Sequence, residues 1–370
     1  MICSKFILDL MYYKSQKSPL PVRLLIIVCL VVLSQVTAYP QSAHNEDAQA
    51  ILDYLYKLPK GNNNRVISGQ FERWGDRVEP LQSTENFLNI CHQKTGKWVG
   101  LVGFEYHIGP KVLYEKPNQL CIEYWKKGGL CQLYLIMSNP ADPDAVNGGG
   151  TCDVKSILDS HHPYNKYFFD ELDLVAEGLE ELKNNGVVVF MNMFAEATGS
   201  WFWWGAKDPS DFIELYRKTY DYLVHTKKLD NLLFVYEPSS HHKTALDYYP
   251  GHNYVDIIGI SLFVDYDEEL NFTSIPNYHE LKILGKPLAL SQWGPRRGGD
   301  QTRTVDQPPG DNLKLIRGII NYYPEIVWWM NWCYAYSIST KENSNFNDKE
   351  LLNHPWVINI DEIAWRKKDN

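Results

Sequence analysis

Eight apolar runs separated by amphipathic stretches constrain the fold of this 370-residue chain more than any other feature. They are Val66–Glu72, Trp98–Tyr106, Cys131–Asn139, Val187–Glu196, Asn231–Pro238, Val255–Phe263, Pro287–Gly294 and Glu325–Tyr334. Each is rich in Val, Ile, Leu and aromatic residues and nearly continuous, not alternating. Strands covered on both faces, as in a parallel sheet, have this pattern. Helical periodicity fills the gaps. Over Asp170–Asn185, Leu172, Leu174, Val175, Leu179 and Leu182 recur at helical spacing with acidic residues on the other face. Asp208-Pro209-Ser210 is a start signal for a second helix over Asp211–Thr226. Eight strands alternating with helices predict an α/β fold of the closed (β/α)8 TIM barrel type. An open doubly wound sheet is the alternative, weakened because no GxGxxG follows the first strand.

Leu24–Leu33 is an unbroken apolar run, preceded by Lys14, Lys17 and Arg23 and followed by the small residues of Val36-Thr37-Ala38. Residues 1–38 read as a secretory signal peptide, because the run is short for a bilayer span. An uncleaved anchor is the alternative. Residues 39–370 are then a single barrel domain, secreted and extracellular, for which a monomer is expected. The chain carries a formal charge of −9. Removing the leader takes away four basic residues and one acidic one, leaving −12. Such a surface does not condense onto phosphate backbones, so nucleic acid is excluded as a partner. Of the five remaining cysteines, Cys121 with Cys131 is a plausible disulfide across one short connection, leaving Cys91 with Cys152, though sequence does not fix the pairing. Cys333 lies in an aromatic run and reads as a buried free thiol. No CxxC or His/Cys grouping has the spacing of a metal site, and no cofactor is expected. Asn271-Phe272-Thr273 is a glycosylation sequon, suited to a secreted surface loop.

Glu72, Glu105, Asn139, Glu196, Glu237 and Gln292 each lie at or near the end of an apolar run. In a barrel the C-terminal strand ends share one face, where active sites form, so these distant residues are expected neighbours. The most distinctive segment begins there: Phe194-Ala195-Glu196-Ala197-Thr198-Gly199-Ser200-Trp201-Phe202-Trp203-Trp204-Gly205. A carboxylate is followed within nine residues by four aromatics. Flat ring faces suit the C–H faces of sugars, and an indole N–H supplies a hydrogen bond beside them. A hydrophobic plug beneath a loop is the competing reading.

This segment resembles the β-mannanases of glycoside hydrolase family 26. There the fourth strand typically ends Arg-Pro-x-His-Glu and continues Asn-Gly-x-Trp-Phe-Trp-Trp-Gly. Ser68-Gly69-Gln70, Gly128-Gly129, Asn139-Pro140, Asn231–Tyr236, Tyr248–Gly251, Tyr254–Gly259 and Lys286–Pro295 agree in order and spacing. The resemblance covers about Val66 to Trp332. It implies Glu196 as acid/base and Trp201 as the sugar-stacking ring. Trp203, Trp204, Glu105, Phe263 and Trp332 join the expected substrate-facing set, and the implied partner is a mannan-like β-linked polysaccharide or oligosaccharide.

The departures fall in the same place. Gln292 stands where the family has its nucleophilic glutamate. Asn192 and Ala195 replace the fourth-strand Arg and His, Ile136 a third-strand His, Ser261 a sixth-strand Asp, and Phe263 a Tyr. A retaining glycosidase needs two carboxyls about 5–5.5 Å apart, one donating a proton and one attacking the anomeric carbon. A neutral amide neither forms the glycosyl ester readily nor offsets the charge of an oxocarbenium-like transition state. It also removes a negative charge that raises the acid's pKa, so Glu196 is expected to be detuned. The sequence therefore predicts a mannanase-like, endo-1,4-β-mannosidase-type chain that is impaired or inactive as a hydrolase and still binds a β-glycan. Two alternatives stand beside it. One is an active enzyme using Glu237 or Glu105 as base, against the simpler view of Glu237 as a solvated or salt-bridged loop residue. The other is an extracellular scaffold without carbohydrate chemistry.

Overall fold

The computed structural model describes residues 44–60, 64–72, 86–108, 111–145, 148–242, 244–295, 309–340 and 345–366. The leader assigned to residues 1–38 lies outside them. The eight apolar runs become the eight strands of a closed parallel barrel: β1 (Gly69–Phe71), β2 (Leu101–Glu105), β3 (Leu130–Tyr134), β4 (Val189–Asn192), β5 (Leu232–Tyr236), β6 (Ile257–Phe263), β7 (Leu288–Gly294) and β8 (Ile326–Asn331). Neighbours pair in chain order, and β8 closes the ring by pairing with both β7 and β1. Every residue of these strands is buried except Phe263, which is partly exposed. This explains why the sequence runs are continuous: barrel interior on one face, helices on the other. Just before β1, Val66–Ile67 pairs with β8 and with Val357–Ile358. Gly69 follows this junction, where a Cβ would sit 2.2 Å from the Trp329 carbonyl oxygen. Only glycine lets β1 approach β8 that closely.

Helices α1 (Glu46–Lys57), α2 (Phe87–Thr95), α3 (Glu115–Lys126), α4 (Pro163–Asn184), α5 (Pro209–Asp221), α6 (Tyr278–Ile283) and α7 (Leu313–Tyr322) lie along the chain between and before the strands. The helix read over Asp170–Asn185 starts earlier, because His162 caps it and Pro163 takes a first-turn position where its missing N–H costs nothing. The helix read over Asp211–Thr226 begins at Pro209, with the Asp208 side chain accepting from the Ser210 N–H at 2.9 Å. After Asp221 it continues as a π-helical turn over Tyr222–Thr226.

The expected disulfides are not formed: Cys91, Cys121, Cys131 and Cys152 are all buried free thiols. Cys121 faces inward from α3 onto the adjoining strand, and the Cys131 thiol donates to the Cys121 carbonyl oxygen at 3.6 Å. The two sulfurs are close neighbours because α3 packs on β3, and their burial holds the Cys121 thiol well above its ordinary pKa. Cys333 is also buried and outside any disulfide. Asn271 of the sequon lies on an exposed loop.

Candidate active site

The site is built at the C-terminal ends of the strands, and its centre is a carboxyl on the fifth. Glu237 follows β5 and is completely buried, contrary to its reading as a solvated or salt-bridged loop residue. Its Oε2 accepts from Asn192 Nδ2 at 2.9 Å and from the Ser291 hydroxyl. Its Oε1 accepts from the Gln292 Nε2 at 2.8 Å and the Glu196 backbone N–H at 3.2 Å. One side chain thus ties together β4, β5, β7 and the turn carrying Glu196. The Glu237 backbone joins in, its carbonyl accepting from the Ala197 N–H at 2.9 Å.

That turn needs bracing. Glu196 has φ 51°, in the left-handed region that costs a non-glycine residue energy. The conformation turns its carboxyl across the barrel mouth. Oε1 accepts from the Ser261 hydroxyl on β6, and Oε2 accepts from the Trp201 indole N–H. Ser261 can reach both strands' chemistry because the β6–β7 register sets it directly beside Gln292. On the third strand, Tyr134 is opposite Asn192 and donates its hydroxyl to the Ser291 carbonyl.

Burial dominates the electrostatics. Glu237 is pushed up to about 8, first by desolvation, with the Glu196 charge adding; the Ser291, Gln292 and Glu196 N–H bonds oppose the rise. Glu196 is also raised by burial, against the pull of Ser261 and Trp201. With a neutral amide at 292, desolvation is the largest cause raising the Glu196 carboxyl. Tyr134 is held far above its ordinary value, again by burial, with the charges of Glu237 and Glu196 adding.

The other expected residues divide. Trp201 is 43% exposed, its ring beside His242 at 5.9 Å. Gly199 makes this possible, since a Cβ there would meet the Trp201 ring at 2.2 Å. Trp332 follows β8 and is partly exposed; it stacks on Phe71 at 4.0 Å and meets Tyr134 edge-on at 5.2 Å. Phe263 is partly exposed against Tyr336 at 5.0 Å. Trp203 and Trp204 do not face the cleft. Both are fully buried, donating their indole N–H groups to the carbonyls of Met137 and Ala195, and Trp204 is stacked on Phe202 at 4.5 Å. For these two the hydrophobic plug is the right description: they anchor the loop that presents Trp201.

Of the other strand-end polar residues, Glu105 is buried at the end of β2. Glu72 caps α2, accepting from the Phe87 and Leu88 N–H groups at 3.2 and 2.9 Å. Asn139 holds the loop after β3 through Gly149 and Ala141 at 2.9 Å each. These are structural duties. The sequence reading missed Ser261 as a partner of Glu196 and Tyr134 as a strut under Ser291. Strand register alone links them, and no local motif marks it.

The family model for glycosyl hydrolase family 26 matches residues 40–362. A mannan endo-1,4-beta-mannosidase of Bacillus subtilis is 32% identical over 370 aligned residues, covering 92% of this chain and 96% of that protein. Mannan endo-1,4-beta-mannosidase A and B of Caldalkalibacillus mannanilyticus is 30% identical, and there the alignment covers 87% of this chain and 62% of the longer relative. Among solved structures, a Bacillus subtilis mannanase superposes with a TM-score of 0.75 at 28% identity, covering 89% of this chain and 96% of that one. A β-mannanase from a termite-symbiotic protist, solved with a gluco-manno-oligosaccharide, shares the fold at 22% identity and a TM-score of 0.70. With a family match over most of its length and a closed eight-stranded barrel of the same kind, this chain belongs to glycosyl hydrolase family 26.

Proposed function

We propose that this is a secreted, mannanase-like protein that binds a mannan-type β-glycan and has lost the retaining hydrolysis of its relatives. The observation that carries the reading is Gln292. Its side-chain amide occupies the position expected for the nucleophile and is hydrogen-bonded into the site at 2.8 Å, next to a raised Glu196. On this reading Glu196 is the proton donor, and the partner that must form the glycosyl ester is an amide. The barrel mouth still offers a half-exposed indole at Trp201 and a second ring at Trp332. Ring faces of this kind hold sugars by stacking without any chemistry. Secretion rests on the leader read in residues 1–38, and the exposed sequon at Asn271 accords with it.

An active enzyme working through Glu237 is disfavoured by its enclosure. Glu237 is completely buried and its two oxygens already accept four hydrogen bonds, so it is not placed to activate a water against a sugar in the cleft.

The test is retention on immobilised mannan, glucomannan and xylan. The protein is expected to be retained on the mannans. Trp201→Ala should weaken binding by about tenfold to a hundredfold, the order for losing a stacked ring and its indole donor. No retention on any of the three polymers removes the binding half of the proposal.

A further inference from the structure

Resting on the glycan-binding reading, we propose that Glu237 is a positioning residue that fixes which end of the Gln292 amide a bound sugar meets. The nitrogen is held down against Glu237 and the carbonyl oxygen is left toward the cleft, which makes position 292 a hydrogen-bond acceptor for a hydroxyl of a mannan-type β-glycan.

A glutamine amide is nearly symmetric in shape, so its orientation is decided by hydrogen-bond partners alone. Here the partner is unambiguous. Glu237 Oε1 accepts from Gln292 Nε2 at 2.8 Å and also from the Glu196 backbone N–H at 3.2 Å, a donor that cannot be reversed. Oε2 is engaged by Asn192 Nδ2 at 2.9 Å and by the Ser291 hydroxyl. When Glu237 carries a proton, the position with an alternative acceptor is Oε2, because the Ser291 hydroxyl can rotate to receive it. Oε1 therefore remains an acceptor in both protonation states, and Gln292 keeps its nitrogen turned inward. Among the described residues, the Gln292 carbonyl oxygen has no hydrogen-bond partner, and it is not one of the enclosed polar atoms. A sugar hydroxyl reaching it gains an acceptor. A reversed amide would present only N–H donors there and set its oxygen against Glu237 Oε1, a buried acceptor–acceptor clash.

The experiment combines spectroscopy and binding on the full mature chain. In protein carrying ¹⁵N in its glutamine side chains, the Gln292 signal is identified by its loss in Gln292→Met. Its nitrogen shift is expected to move with the titration of Glu237, whose burial puts the midpoint near 8. The other titratable groups facing Glu237 are Glu196 on the adjoining turn and Tyr134 on β3, and neither contacts the Gln292 nitrogen. In Glu237→Gln, which removes the titrating group but keeps an oxygen that can accept, the shift is expected to become flat with pH. Calorimetry with mannopentaose supplies the second arm. Glu237→Met and Gln292→Met should each lower affinity about tenfold, the double variant should lose no more than either, and Glu237→Gln should stay within about twofold of the natural chain. A Gln292 signal indifferent to Glu237, or additive losses in the double variant, overturns the assignment. If Glu237→Met does not fold, the titration and the Gln292→Met affinity still decide. If the natural chain binds no mannopentaose, the acceptor role falls together with the glycan reading. The amide titration then tells whether the pin itself survives.

Discussion

Gln292→Glu is expected to produce mannan hydrolysis at least a hundredfold above that of the natural chain, with the β-anomer appearing first. Removing a group that carries charge in a transition state typically costs several kcal/mol, or about a thousandfold in rate, and restoring it recovers part of this. The new carboxyl would lie against Glu237, where Gln292 Nε2 now sits 2.8 Å from Oε1. Two carboxyls in contact share a proton, and the more buried one keeps it. Glu237 is fully enclosed and already raised to about 8, so it holds the proton and the introduced group is the ionised one near pH 6. That is the state a nucleophile needs. The added negative charge also lifts Glu196 further, which favours the acid. Activity should therefore fall on the alkaline side as Glu196 loses its proton. Full family-like rates are not expected, because Asn192, Ala195 and Ile136 stand where the family resemblance implies Arg and His residues. Reducing-end assays and anomer-resolved NMR on mannopentaose measure the gain.

Glu237→Ala should be the most destabilising single change in the site, by about 3–5 kcal/mol. It would orphan donors on Asn192, Gln292, Ser291 and the Glu196 backbone, and leave a void in a fully enclosed position. It would also release the left-handed turn at Glu196. Glu237→Gln should fold and change the pH dependence of stability. The folded-state pKa of about 8 is raised above the ordinary 4.5, so the native state holds a proton that the unfolded chain gives up. The stabilisation from this group is complete below about pH 4.5 and is lost as pH rises toward 8, by an amount on the order of 5 kcal/mol. Glu196 contributes in the same direction. Urea unfolding at pH 5 and pH 9 should show the natural chain weaker at pH 9, with a smaller difference in Glu237→Gln. An unchanged difference contradicts the protonated, enclosed Glu237 described above.

The barrel was legible in the sequence because burial on both faces writes itself locally. Eight continuous apolar runs became eight strands, and Asp208-Pro209-Ser210 announced α5 through a cap that needs only neighbouring residues. The positions of Glu196, Trp201 and Gln292 were legible through their flanking motif. The environment of each was not, since it depends on which side chain a distant strand delivers. Glu237 reads as one more polar residue ending a strand, and only the β4–β5–β7 packing turns it into the hub of the site. Trp203 and Trp204 carry the same letters as Trp201, yet they point inward because their indole nitrogens find the Met137 and Ala195 carbonyls. Cysteine spacing suggested a Cys121–Cys131 bridge where the structure has neighbouring thiols, since proximity of sulfurs in a packed core does not require a bond between them.

The most direct measurement follows mannopentaose by NMR over several days with a stoichiometric amount of the natural chain. The expected result is binding, seen as broadening and shifting of the sugar resonances, with no new reducing-end signal above a protein-free control. Steady accumulation of β-anomeric product at catalytic amounts of protein, abolished by Glu196→Gln, would show that an amide on the seventh strand does not silence the retaining reaction, and would contradict the account.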